Sequence, residues 1–284
     1  MDVAMHEMPL MLFTTLAPIG AGAFITLFIA FMRGAFDEAQ LKRLDRLTIV
    51  PILFAAVGLG CSFAHLANPG NAFNVMATIG TTPLANEILW FGVFFVLAVV
   101  YWIVALAGGL KSKGVRLLFS GVVALAGAVS VIFMGLAYFI PAIPVWNGPG
   151  TVLQMLGAWL FGGVILGMVL CSLVSKGSPD SNGDEITSKV LMLLGAVVLI
   201  AGTVMVFVAG ANAVSPVINT AANAASLMTA YVISIAVAVV GAVCGFLGKG
   251  KNRTVLFTCA LVLAIIAIFL ARLVFYGMQI GIGL

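Results

Sequence analysis

His65 and Glu87 are the residues of this protein best suited to chemistry. His65 is one of two histidines and Glu87 one of nine acidic residues among 284. They bracket HLANPGNAFNVMATIGTTPLANE (65–87), which contains no Lys or Arg and has long apolar runs on both sides. A neutral imidazole accepts a hydrogen bond and then a proton near physiological pH. A quinol gives up two protons and two electrons on oxidation. His65 therefore suits proton acceptance from a quinol hydroxyl, and Glu87 suits receiving that proton or orienting the ring. Plainer readings stand beside these. A histidine can cap a helix end at the membrane interface, and a carboxylate near a helix N-terminus is favourable electrostatics in itself. Arg272, near the end of the last apolar run and followed by Phe275 and Tyr276, has three options. It can snorkel to headgroups, pair with Glu87, or pair with a partner subunit.

Other chemistries lack the residues they need. Bis-histidine haem ligation needs two histidines at membrane depth, and His6 lies before the first apolar run. Cys61, Cys171, Cys244 and Cys259 form no CxxC pair, so zinc, iron–sulfur and disulfide frameworks find no support and no metal site is expected. GGLKSKG (108–114) lacks the GxxxxGK[ST] pattern and reads as a basic turn between apolar runs. Flavin and nucleotide motifs are absent. The net charge of +4 sits in short loops, and topology explains it better than nucleic acid does.

The elements that must position His65 and Glu87 are membrane helices. The sequence is 63% hydrophobic and 8% charged, with a mean hydropathy of +1.25; soluble domains carry roughly a quarter charged residues. About twenty apolar residues span a bilayer, and a bilayer leaves open backbone groups no partner, so such runs are helices. The pattern predicts a single all-α membrane domain, 1–284, with eight spans near 10–32, 47–66, 85–108, 115–138, 153–175, 188–210, 228–247 and 254–276. Twelve of the thirteen basic residues fall in the first, third, fifth and seventh loops or at their edges; Arg272 is the thirteenth. The second, fourth and sixth loops have none. The positive-inside rule places the basic loops in the cytoplasm, and both termini and the neutral loops outward, in the periplasm of a bacterium. MDVAMHEMPLM has no basic leader, so the first apolar run is expected to remain as a helix. His6, Glu7, His65, Glu87 and Arg272 then all belong to the outer half, where ionisable side chains are costly and often functional.

Several motifs resemble the membrane anchor subunit of the dimethyl sulfoxide reductase family, found in bacterial molybdoenzyme complexes. HEMPLM (6–11) is similar to the family's His-Glu-Trp-Pro-Leu-Met, with Met8 where tryptophan is usual. HLANPGNAFN (65–74) resembles its His-Leu-Gly-x-Pro-x-x-Ala-Phe-Asn segment, and LANEI (84–88) its Leu-Ser-Asn-Glu-Ile. Pro-x-Trp at 144–146 and Arg-x-x-Phe-Tyr-Gly at 272–277 fit the same pattern. The resemblance is densest over the first 175 residues.

The resemblance implies eight helices with outward termini in the bacterial inner membrane. It implies menaquinol oxidation near the outer surface. Electrons then pass to a four-cluster ferredoxin-like iron–sulfur subunit on the periplasmic face and on to a molybdopterin catalytic subunit. Haem, iron–sulfur and molybdenum are not expected in this subunit, nor is reduction of the terminal substrate. His65 matches the family's quinol histidine, and Glu87 its implicated glutamate. With quinol entering from lipid, the expected contacts are His65, Asn74, Glu87 and Arg272, with His65 and Glu87 taking the protons. Electrons and protons both leave outward, so no charge is pumped. Two rival readings remain: a secondary transporter, which calls for midplane ionisable groups or broken helices in repeated halves, and a purely structural anchor.

Overall fold

The computed structural model describes residues 6–33, 36–65, 71–175, 182–215 and 218–280. Among these residues all regular structure is helical, as expected where no solvent can satisfy an open strand edge. Eight stretches are long and apolar enough to cross a membrane, matching the number of spans expected. The polypeptide runs through α1 (Met8–Arg33), α2 (Glu38–Leu47), α3 (Ile49–His65), α4 (Asn71–Met76), α5 (Pro83–Leu106) and α6 (Lys113–Leu136). It continues with α7 (Pro149–Ala158), a π turn (Trp159–Gly163), α8 (Val164–Val174), α9 (Asn182–Ala211), α10 (Thr220–Leu247) and α11 (Arg253–Gly277).

Two spans form the centre. The apolar windows of α1 and of Pro149–Val174 are each 78% buried, against 28–44% for the other six. Their surfaces explain why. α1 carries Gly20, Ala21, Gly22 and Ala23, and the π turn ends in Gly162 and Gly163. A Cβ on Gly22 or on Gly163 would overlap the other helix's backbone. In lipid, helices associate through such close backbone approach because apolar surface alone gives no preference for protein over acyl chain. The π turn adds a residue to the ladder at this crossing, a device that recurs at functional sites. Gly202 on α9 packs closely on α7, where a Cβ would stand 2.6 Å from the Gln154 backbone nitrogen.

Two loops hold structure that hydropathy does not show. The first basic loop contains α2, started by a capping box in which Asp37 and Gln40 satisfy each other's backbone amides. α2 turns Asp45 inward onto Arg116 of α6, and both side chains are nearly inaccessible. The second neutral loop contains α4, followed by turns over 77–81.

Charged pairs close the basic-loop end. Besides Asp45–Arg116, Lys189 holds Glu185 at 2.7 Å and the Gly248 carbonyl at 2.6 Å. Arg253 donates to the Ser175 carbonyl and hydroxyl at 2.5 and 2.8 Å. The neutral-loop end contains a different kind of cluster.

Candidate functional site

Arg272 organises that end. It lies on the last turns of α11 and is 1% exposed, so it does not snorkel. Nε donates to Thr14 Oγ1 of α1 at 3.0 Å, and Nη1 to Gln154 Oε1 of α7 at 3.0 Å. Gln154 is itself inaccessible, and its amide nitrogen donates to Thr203 of α9 at 3.3 Å. Thr14 and Thr203 return their own hydroxyl protons to the carbonyls of Leu10 and Leu199. Three spans thus meet at one guanidinium, and α9 joins them through Gln154. Nη2, buried with the rest, has no hydrogen-bond partner among the described residues.

Aromatic rings cover the cation. Its carbon lies 3.8 Å from the centre of Phe275, 5.0 Å from Tyr276 and 5.4 Å from Tyr138. A desolvated cation over an aromatic face gains about 2 kcal/mol, which offsets part of the cost of burial. Trp146, from the proline-rich loop after α6, stacks on Phe275 at 5.0 Å and donates its indole N–H to the Phe275 carbonyl at 2.9 Å. Thr151 holds the Trp146 carbonyl at 2.8 Å. Asn223 of α10 caps the Gly277 carbonyl at 2.9 Å. The Tyr138 and Tyr276 hydroxyls share a short hydrogen bond.

Glu87 joins this cluster from α5. The Thr82 hydroxyl caps α5 through the Ala85 amide, and Pro83 takes the first turn, where a missing N–H costs nothing. The turn before it is fixed by Asn86, which accepts from the Gly80 amide at 2.7 Å; Gly80 needs its positive φ of 85°. Glu87 therefore lies beyond the first turn and faces inward, 6% exposed. It is not the helix cap. Its carboxyl interacts through space with the Arg272 guanidinium and with Tyr138. Tyr138 follows the end of α6; burial, then the neighbouring Tyr276, hold its hydroxyl well above the usual phenol range.

The expected site residues divide as follows. Glu87 and Arg272 are both buried and within electrostatic reach of each other, but no salt bridge joins them among the described residues. Asn74 is exposed on α4, which packs against α5. His65 ends α3, and its side chain lies outside the described residues, as does the 66–70 part of its motif. Sequence reasoning missed Thr14, Tyr138, Trp146, Gln154, Thr203 and Tyr276 as participants. Thr14, Gln154 and Thr203 had a signal, each being a polar side chain within an apolar run. Among the described residues, no three His, Cys, Asp or Glu side chains converge as metal ligands. The cluster supplies a protonatable carboxyl, a fixed cation and hydrogen-bonded hydroxyls, the kinds of group that can hold a proton or a polar partner.

The sequence matches the family described as DMSO reductase anchor subunit (DmsC) over residues 1–278. It is similar to the C subunit of the anaerobic dimethyl sulfoxide reductase of Escherichia coli (strain K12), with 26% identity over 98% of this protein and 97% of the relative. The C subunit of the Haemophilus influenzae enzyme is 25% identical, over 100% and 99%. The YnfH subunit of an anaerobic dimethyl sulfoxide reductase of Escherichia coli is 26% identical, over 98% and 97%. The protein therefore belongs to the DMSO reductase anchor subunit family, as a multi-pass inner-membrane anchor of a dimethyl sulfoxide reductase-type complex.

Proposed function

We propose that this anchor also oxidises menaquinol. The neutral loops face the periplasm, in keeping with the positive-inside rule. Menaquinol enters from lipid at that end with its ring near His65, Asn74 and Glu87. One hydroxyl donates to His65 and the other to Glu87, and Arg272 supplies the fixed positive charge beside them. Electrons leave singly to a periplasmic iron–sulfur subunit and continue to a molybdopterin subunit, which reduces the terminal substrate. Protons leave on the same side, so turnover moves no charge across the membrane.

The observation that carries this reading is Glu87, a carboxyl buried on a membrane-spanning helix and within electrostatic reach of a buried arginine. An acid in that position is expensive to retain and is suited to proton transfer. The test is Glu87→Gln in the intact complex, beside His65→Ala. Quinol-dependent turnover should fall about a hundredfold or more in Glu87→Gln. Reduction of the terminal substrate by a soluble artificial donor, which bypasses the anchor, should persist. Quinol turnover within twofold of wild type in both variants would leave only the anchoring role.

A further inference from the structure

We infer that a crevice at the basic-loop end of the bundle binds the headgroup of an anionic phospholipid. This inference is independent of the quinol-oxidising reading and concerns the opposite end of the molecule.

The crevice opens between α1, α8, α9 and α11. Ala30, Met168 and Phe257 give it apolar walls, and Ser175, Glu185 and Arg253 give it polar ones. The polar residues stand at helix ends. Ser175 directly follows α8, Glu185 is the fourth residue of α9, and Arg253 opens α11. In spans of this length, helix ends lie at headgroup depth. Thr26, which also lines the crevice, is seven residues before the end of α1, and Met168 is seven before Ser175. The crevice therefore reaches about 10 Å into the bundle. Counted to its open mouth, it has about 420 Å³ of empty space, room for a phosphodiester and the first methylenes below it.

Charge selects the occupant. Lys189 holds Glu185 at 2.7 Å and the Gly248 carbonyl at 2.6 Å, and Arg253 lies 4.0 Å from the same carboxylate. Arg253 also donates to the Ser175 carbonyl and hydroxyl, which fixes its guanidinium beside the crevice. Lys249 and Lys251, both exposed, lie between Gly248 and Arg253. Among these described residues four cations stand around one carboxylate, an excess that favours an anion. The apolar walls beneath suit an acyl chain and give nothing to a hydrated free ion. Basic pockets between spans on the cytoplasmic side suit anionic headgroups, and the positive-inside rule assigns this end to that side.

An ion pair that only holds helices together has a different geometry, and the same bundle contains one. Asp45 lies near the start of the second span and Arg116 near the start of the fourth; Glu185 and Arg253 stand at the starts of the sixth and eighth. The first pair is bidentate, and both its side chains are nearly inaccessible. The second is 4.0 Å apart, has Lys189 added beside its acid, and borders the open crevice. The same two charge types are thus sealed in one half and left open, with extra positive charge, in the other.

The test is thermal unfolding of the intact complex, delipidated in detergent and then given phosphatidylglycerol, phosphatidylcholine or inorganic phosphate. Phosphatidylglycerol at about a hundred times its Kd should raise the midpoint by about 5 °C or more. Phosphatidylcholine and inorganic phosphate should leave it within about 1 °C. Ala30→Leu, which fills the crevice and keeps every charge, should abolish the shift in complexes that copurify intact. The exposed pair Lys249→Gln/Lys251→Gln should raise the half-saturating phosphatidylglycerol concentration about tenfold or more. An equal shift with phosphatidylcholine overturns the anionic headgroup, and an equal shift with inorganic phosphate overturns the lipid. A full phosphatidylglycerol shift in Ala30→Leu overturns the crevice, whatever the lysine variant does. If Ala30→Leu does not assemble, the lysine variant decides, and an unchanged half-saturating concentration overturns the proposal. No shift with any of the three also overturns it.

Discussion

Gln154→Leu probes the buried cluster most directly. The two side chains are close in volume, so the substitution removes an acceptor without opening a large cavity. The wild-type Gln154 oxygen receives the Arg272 Nη1 proton at 3.0 Å, and both side chains are inaccessible to water. Nη2 already has no partner among the described residues. The variant therefore leaves two guanidinium nitrogens without an acceptor. A hydrogen bond to a charged group is worth about 1.5–3 kcal/mol net, and stranding a buried charged donor costs more. Together the expected loss is about 2–4 kcal/mol. For a protein of this size 1 kcal/mol moves the midpoint by about 2–4 °C, so the melting point should drop by roughly 4–16 °C. The assay is thermal unfolding of the purified complex at one fixed scan rate, because large membrane assemblies unfold irreversibly. The second arm is Gln154→Leu with Arg272→Met. Removing the stranded charge should recover about 1 kcal/mol or more relative to Gln154→Leu alone, since an apolar replacement of a buried charge is often neutral. A melting point within about 1–2 °C of wild type for Gln154→Leu, with no recovery in the double variant, would refute this account of the cluster.

Other perturbations separate the two ends of the bundle. Asp45→Ala strands Arg116 at the basic-loop end and should cost about 3–5 kcal/mol; complexes that survive should keep the wild-type quinol KM, and a changed KM would contradict the placement of the site. Gly22→Ala places a Cβ against the Trp159 carbonyl and should cost about 3 kcal/mol or prevent assembly. Gly60→Ala, with nothing within 4 Å of the new Cβ, should purify at wild-type yield, and equal yields of the two variants would refute the close-approach account. Tyr138 gives a pH prediction. Its folded hydroxyl titrates well above the unfolded value, chiefly through burial. Its contribution to stability is therefore complete below about pH 10 and declines as pH rises further. Unfolding between about pH 8 and 11 should show a flatter alkaline decline in Tyr138→Phe than in wild type; identical slopes would contradict the buried, neutral hydroxyl.

The resemblance and the residue chemistry led to the same two residues by different routes, and the structure treats them differently. Glu87 was legible as an acid at a helix start, but its role as cap or as site depended on one turn of helix. The Thr82 cap places Glu87 beyond that first turn and facing the core. His65 was legible as an imidazole at a helix end, and its side chain lies outside the described residues. Arg272 was legible as the basic residue against the charge bias. Its burial was not, because a span ending in Phe-Tyr-Gly reads equally well as a snorkelling terminus. α2 escaped detection because its ten residues are polar outside and its inward face is an aspartate and a leucine, Asp45 and Leu44.

The sequence by itself determined the eight spans, the segregation of basic loops and the ends at which His65, Glu87 and Arg272 lie. Those follow from composition and length, since a bilayer admits only helices of a set length and sorts Lys and Arg to one side. Only the tertiary structure decided that Thr14, Gln154, Thr203, Tyr138, Tyr276 and Trp146 converge on Arg272 beside Glu87. These residues come from different helices and loops, up to 262 positions apart (Thr14 to Tyr276). The rotation of each helix about its axis fixes whether they meet. Rotation is set by which small residues let two backbones touch, as Gly22 and Gly163 do, and hydropathy carries no record of that choice.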